Sequence, residues 1–375
     1  MAVAAGNSLE TRIAKLAEAA SGAGLDGLLL TSDASIAYVT GFRPLQLERF
    51  FGVLVRASGD GLLVVPRLDV GQVAEAPAPL ERLVYDAGST GLPELVRALN
   101  GRGTIGVEES HLILGRARAL TEAGLELVPA EDAVMARRAR KDDAEIERIR
   151  AACAILSETL TRLFDELRVG AVERIVNARV EGDLREQGAT DVHSLILFGE
   201  SAANPHGQPG DRELRRGDVV CADVSACLDG YWGDLTRCAT VGPPSKWAQA
   251  AWRVVRDAQA AAIAATTAGA AAADVDAVQR RIVEHAPDLG SCLHGAGHAI
   301  GLDIHEPPYL VPGNDAALAE GMVFTIEPGL YRQDAGGIRI EDDVLVTRDG
   351  PSILSALPLE LVEISDASSS DPHES

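Results

Sequence analysis

Basic residues are scarce. The chain of 375 residues holds 34 Lys and Arg against 56 Asp and Glu, a formal charge of −22. That deficit argues against sequence-independent binding to DNA or RNA, which needs a basic face to displace counterions. It argues equally against docking on an anionic membrane surface. The excess acid reads as solvated surface that aids solubility. Long apolar runs are also missing. The longest uncharged stretch, between Asp257 and Asp274, is mostly alanine with Gln, Thr and Gly, too weakly apolar to insert into a bilayer. The N-terminal MAVAAGNSLETRIAKL has no basic region followed by an apolar core, so no secretory signal is expected. Cysteine is limited to Cys153, Cys221, Cys227, Cys238 and Cys292. The number is odd and there is no C-x-x-C pair, which reads as reduced thiols in a cytoplasmic protein.

What is present is a globular balance, 46% hydrophobic and 24% charged, in a chain long enough for about two domains. The first part alternates helical and strand patterns. A helical stripe over Ser8–Ser21, with Ser8 as a candidate N-cap, leads to a buried strand at Leu28–Leu30. Further strands are expected at 52–56, 62–65, 83–85 and 104–107, with helices at 68–76, 92–99 and 112–123. This pattern predicts an α/β domain with a substantially parallel sheet. Composition shifts after Pro129. Residues 135–167 read as one long amphipathic helix, with Ile146, Ile149, Cys153, Leu156, Leu160 and Leu163 at three- and four-residue steps. The expected division is therefore 1–138 and 139–365, with a Ser/Asp-rich, disordered tail at 366–375. After a helix at 172–187, strands expected at 195–198, 219–226 and 236–241 give way to helices at 247–267 and 275–285. More strands follow at 323–326, 337–340 and 344–347, so the second domain reads as α+β. The alanine-rich helix is expected to be closely packed.

Several polar residues sit inside apolar strands of this second part. Asp223 lies in Val219-Val-Cys-Ala-Asp-Val, and Asp234 lies in Tyr231-Trp-Gly-Asp-Leu-Thr-Arg. If residues 228 and 229 form a two-residue hairpin loop, positions 223 and 234 oppose each other, with Cβ atoms about 4.5–5.5 Å apart. Two carboxylates that close repel unless one is protonated or a cation lies between them. More ligand types follow: His294, His298 and His305 in a Gly-rich segment, Glu327 at a strand end before Pro328-Gly329, and Glu341 with Arg339 on the same strand face. Taken singly, each has an ordinary structural reading. Together, two Asp, two Glu and one His make an oxygen-rich set suited to Mn²⁺ or a similar ion. The carboxylate number favours two metals over a single zinc.

With these residues in place, the chain resembles the creatinase/prolidase/aminopeptidase P family of pita-bread metallohydrolases. Gly24–Phe42 looks like the opening of that family's N-terminal domain. Asp223, Asp234, His298, Glu327 and Glu341 match its five metal-ligand positions. His206, in Asn204-Pro-His-Gly, stands seventeen residues before Asp223 as the family pattern has it, and His294 and His305 also match. Two departures, Val224-Ser-Ala after Asp223 and Ala299, are expected to touch no ligand. The resemblance implies a creatinase-like α/β domain followed by an α+β pita-bread catalytic domain. It also implies two divalent cations, Mn foremost with Co, Zn and Fe as alternatives, bridged by Asp234 and Glu341. Asp223 would complete one position, and His298 with Glu327 the other.

A hydroxide between the cations would attack, Glu327 would act as general base, and His206, His294 and His305 would orient the substrate. Arg339 would hold a nearby carboxylate. The implied substrate is a proline-containing dipeptide or peptide cleaved at the Xaa-Pro bond, and the implied assembly is a homodimer. Alternatives are a creatinase- or ectoine-hydrolase-like action on a non-peptide C–N bond, or a binding protein that keeps the fold without catalysis. Retention of all five ligand positions disfavours the latter. Among other residues, His193 reads as structural, His111 and His285 as surface groups, and Cys221 and Cys227 as packing. Tyr231 and Trp232 are candidates for core or cleft, and Arg43 or Arg332 for meeting a substrate carboxylate.

Overall fold

The computed structural model describes residues 5–73, 77 and 79–365. The expected disordered tail at 366–375 lies outside them. The chain divides into two compact units, Met1–Arg138 and Ala139–Ser375.

In the first unit, α1 (Ala5–Gly22) leads to β1 (Gly27–Leu30), α2 (Asp33–Thr40), β2 (Gly52–Arg56), β3 (Gly61–Pro66) and β4 (Leu80–Tyr85). Then come α3 (Leu92–Ala98), β5 (Thr104–Val107), α4 (Leu114–Glu122), β6 (Glu126–Pro129) and α5 (Glu131–Arg138). The six strands are ordered β4-β3-β2-β1-β5-β6. Pairs β1–β5, β5–β6 and β3–β4 are parallel, while β2 runs against both β1 and β3. The sheet is thus parallel except for one reversed strand. That strand follows directly on the compact α2 segment, which sequence periodicity did not reveal. Eight residues, mostly apolar, carry too little amphipathic contrast to read as a helix. The chain sets the ends of α2 locally: the Ser32 side chain accepts the Ser35 N–H, and Gly41 takes φ 71°, where glycine costs least. Ser8 lies inside α1 rather than capping it. The helix expected at 68–76 is a 3₁₀ segment over Arg67–Gln72, and positions 74–76 fall outside the described residues.

The single helix expected over 135–167 is instead two. Helix α5 ends at Arg138, and α6 (Asp143–Glu166) begins anew. The cause is local. The Asp142 side chain accepts the Glu145 N–H, and the Glu145 side chain accepts the Asp142 N–H. This reciprocal capping box starts a helix where hydrophobic periodicity alone would run through.

The second unit continues with α7 (Glu173–Glu186), β7 (Asp191–Phe198), β8 (Val219–Leu228), β9 (Tyr231–Val241), α8 (Lys246–Ala265) and α9 (Ala272–Glu284). Short strands follow: β10 (Gly297–Ala299), β11 (Glu306–Leu310), β12 (Val323–Ile326), β13 (Gly329–Arg332), β14 (Gly336–Arg339), β15 (Asp342–Thr347), β16 (Gly350–Ile353) and β17 (Val362–Ile364). They form sheets ordered β17-β9-β8-β7 and β11-β10-β12-β15-β16, and the ribbon β13-β14. A lone bridge between Thr236 and Glu341 ties β9 to the turn between β14 and β15. Helix α6 packs on β9 at Gly233, where a Cβ would come within 2.9 Å of the Cys153 backbone nitrogen. Glycine is required there, one residue before Asp234. Ala251, Ala258 and Ala262 of α8 are fully buried, so the alanine-rich helix is closely packed, as expected. Among the described residues, no helix is long and apolar enough to cross a membrane.

Candidate metal centre and substrate cleft

The β8–β9 hairpin turns on Asp229-Gly230, with φ of 49° and 83°. Positive φ at both central residues gives the turn that matches strand twist, which Asp-Gly favours. Leu228 therefore pairs with Tyr231, Ser225 opposes Asp234, and Thr236 opposes Asp223. The direct opposition of Asp223 and Asp234 expected from a loop at 228–229 is corrected by this register. The two carboxylates are diagonal neighbours on one face, because the shift is an even number of residues.

Other elements bring groups to the same face. Strand β10 supplies His298, the residue after β12 supplies Glu327, and the stretch from β14 supplies Arg339 and Glu341. Asp234, His298 and Glu341 are all buried, and one ligand atom of each lies within 4.8 Å of the others. Asp223 and Glu327 lie outside that trio but line the same cleft, of about 530 Å³. His298 Nε2 stands 3.7 Å from a Glu327 oxygen. His298 Nδ1 is 3.1 Å from the Ala299 carbonyl. Placing the ring proton on Nδ1, where it donates to that carbonyl, leaves Nε2 with its lone pair toward the cluster.

The electrostatics are those of an anionic knot. Burial pushes Asp234 well above the usual carboxylate range, reinforced by Asp223 and Asp343. Burial likewise raises Glu341, reinforced by Asp234 and Glu327. Glu327 is raised to about 7 by burial, with Arg339 opposing and Asp223 adding to the rise. The histidines move the other way. Burial lowers His298 to about 3, helped by His305, and lowers His294 to about 4, helped by Arg339. Neutral imidazole beside carboxylates that resist ionisation is a donor set that a divalent cation would relieve.

A hydrogen-bonded frame holds these groups. Arg339 donates to Asp223 at 2.5 Å, to the Thr236 hydroxyl at 3.1 Å and to the Tyr331 hydroxyl at 2.8 Å. The Thr236 hydroxyl donates to Glu341 at 2.6 Å, and the Ser225 hydroxyl donates to Asp234 at 2.8 Å, so the Val224-Ser-Ala departure does reach a candidate ligand, contrary to expectation. The Asp234 N–H donates to Asp343 at 3.1 Å. His294 Nε2 lies 2.7 Å from the Tyr331 hydroxyl. His206 and His305 line the cleft, and the His305 ring centroid is 4.1 Å from that of His298.

Sequence reading missed Ser225, Thr236, Tyr331 and Asp343. Ser225 and Thr236 carried a usable signal, since each lies two residues from an Asp on the same strand face. Tyr331 carried none, because it reaches the site only through the pairing of β13 with β14. His193 needs correction. It lies within β7 opposite Ser225 and lines the cleft. Trp232 also lines the cleft, whereas Tyr231 is buried and donates to Glu145 at 2.7 Å. Arg332 does not line the cleft. It pairs with Asp334 at 2.9 Å, and its guanidinium stacks 5.1 Å from the Trp247 ring centroid. Arg43 is an exposed residue of the first unit, His111 and His285 are exposed, and Cys221 and Cys227 are buried.

A buried carboxylate–imidazole cluster floored by β-strands and open to a cleft is a donor set that suits a divalent cation. Comparison with known proteins narrows the class. Residues 147–348 match the profile of metallopeptidase family M24, and residues 12–140 match the Creatinase/Prolidase N-terminal domain. The chain belongs to the M24 metallopeptidases, with a creatinase-like α/β domain followed by the pita-bread catalytic domain. It is 33% identical over 334 residues to an uncharacterized peptidase of Staphylococcus haemolyticus, covering 88% of this chain and 94% of the relative. Among solved structures, it is similar to dipeptidase PepE from Mycobacterium ulcerans, at 32% identity and TM-score 0.88, covering 96% of this chain and 99% of that one. It is also similar to an Xaa-Pro dipeptidase from Bacillus anthracis, at 29% identity and TM-score 0.87, with 94% and 99% covered.

Proposed function

We propose that this protein is an Xaa-Pro dipeptidase that works with two divalent cations. The observation that carries the reading is the convergence of Asp234, His298 and Glu341 on one point beneath a cleft that Asp223 and Glu327 also line. In this reading Asp223, Asp234, His298, Glu327 and Glu341 are the residues that would hold the two cations. When bound, the cations would supply Lewis acidity and lower the pKa of the attacking water. Glu327 takes that water's proton as the new C–O bond forms, then delivers it to the proline nitrogen as the C–N bond breaks. His206, His294 and His305 orient the substrate, and His206 and His305 donate to its carbonyl oxygen as charge develops there. Arg339 holds Asp223 in place and stays charged, because its neighbours are anionic. The similarity to an Xaa-Pro dipeptidase supports proline at the scissile bond, and two dipeptidase-named neighbours favour dipeptides over longer chains.

The test is a substrate panel with Mn²⁺, Co²⁺, Zn²⁺ or Fe²⁺ added to chelated enzyme. Gly-Pro and Ala-Pro should be cleaved with Mn²⁺ as the strongest activator, and Ala-Pro should be preferred over Ala-Pro-Ala. Preference for the tripeptide would make it an aminopeptidase. Turnover of creatine or ectoine derivatives alone would overturn the peptide reading. Light scattering should return the mass of a homodimer.

A further inference from the structure

We infer that the buried ion pair between Lys141 and Glu306 is a positioning device for the substrate-facing wall of the cleft. Lys141 Nζ donates to Glu306 Oε2 at 3.1 Å, and both side chains are only 1% exposed. Glu306 Oε1 accepts the Asp303 N–H at 3.2 Å. One carboxylate therefore closes the turn over residues 303–306 and anchors it to the segment leading into α6. His305, next to Glu306 in the chain, faces the cleft and packs edge-on against His298. At the other end of the loop, the Gly301 carbonyl accepts the Trp232 N–H at 2.8 Å, and Trp232 is also a cleft wall. There is no slack between these parts. A Cβ on Gly301 would sit 2.9 Å from both Glu306 Oε2 and Lys141 Cε.

The physical argument turns on what an ion pair does that packing does not. Taking both charges out of water is costly, and an apolar pair of similar volume would commonly stabilise a core as well. A carboxylate with a donor on each oxygen, however, fixes its own rotamer and hence the chain direction at the preceding residue. Lys141 and Glu306 touch no reacting atom. Their effect passes through His305 and Trp232 to the placement of substrate. This inference rests on the reading that His305 meets the substrate.

The experiment compares Lys141→Met, Lys141→Met/Glu306→Gln and Lys141→Arg in the metal-loaded, full-length enzyme. Each is assayed for thermal midpoint, bound metal per chain, KM and kcat. Lys141→Met strands a buried carboxylate and should lower the midpoint most. The double variant removes both charges and keeps an acceptor for Asp303. Its midpoint and metal content should return close to wild type, while kcat/KM stays about tenfold low, mainly through KM, because small misplacements of orienting groups are expensive. A double variant with wild-type KM and kcat would overturn the inference and leave the pair purely structural. Should the double variant fail to fold, Lys141→Arg decides. It keeps the charge but moves the donor, so raised KM at an unchanged midpoint supports positioning, and unchanged KM refutes it. The assay uses whichever dipeptide the wild type cleaves best. Failure on Xaa-Pro dipeptides then counts against the proposed function, not against the pair.

Discussion

The two units bury carboxylates in opposite ways. In the first, Glu108 is 1% exposed, and each of its oxygens meets a donor: the Thr31 and Ser32 N–H groups and the Ser32 hydroxyl. That is a solved polar network, complete within the protein. In the second, Asp234 and Glu341 are as deeply buried, yet they face each other and His298. Among the described residues, each has a single side-chain hydroxyl donor, from Ser225 and from Thr236. Asp342 shows that this unit can also satisfy a buried acid when it needs to, with donors from Arg237, Gln259 and Ser355. The lesson is that burial alone does not mark function. Burial with mutually repelling partners points to function, because such a set is completed only by a cation or by protonation.

Breaking this contrast should have graded effects. Chelation should abolish peptidase activity and leave the first unit's helix and sheet signals intact by circular dichroism. Retained activity after exhaustive dialysis would remove the metal from the argument. Glu327→Gln should lower kcat by about 10²–10⁴-fold, the usual worth of a general base, and should also weaken metal binding, because Glu327 is a proposed ligand as well. Thr236→Val removes the hydroxyl shared between Arg339 and Glu341, and it should weaken metal affinity by about 10–100-fold in a competition titration.

The pH dependence of stability should separate the chelated protein from the loaded one. Glu327 rises from 4.5 to about 7 on folding, and Asp234 and Glu341 also rise. Raised acids bind more protons folded than unfolded and cost stability as pH climbs past about 4.5. His294 and His298, lowered from 6.5 to about 4 and about 3, act the opposite way up to 6.5, so the net fall without metal should emerge from pH 6.5 upward. Thermal scans of chelated enzyme should show that fall, and metal should flatten it. A flat profile in both would mean that the acids are not strained by one another. The smallest effect belongs to the first unit. Glu108→Gln leaves a buried donor badly met and should cost about 1–3 kcal/mol in denaturant titrations, with kcat per folded molecule unchanged.

Much of the molecule was legible in advance. Most main strands and helices follow from period-two and period-3.6 patterning. The candidate ligands stood out because Asp and Glu are out of place in apolar strands. Three things were not legible. The break before α6 depends on a four-residue capping exchange at Asp142 and Glu145, which overrides the apolar periodicity running through it. The hairpin register depends on which two residues turn, and Asp229-Gly230 won because both can take positive φ. His193 and Tyr331 join the cleft through strand pairing with distant segments, and nothing around them in the chain signals it.

The sequence by itself determined which side chains were available, where they alternated inward and which family pattern they fit. Those are local properties, set by residue type and by the period of helix and strand. Only the tertiary structure decided that Asp234, His298 and Glu341 meet, that Arg339 reaches Asp223 through a shared frame with Thr236 and Tyr331, and that Lys141 lies behind the His305 loop. These partners come from strands and turns far apart in the chain, and what joins them is the packing of sheets against one another, which no local stretch encodes.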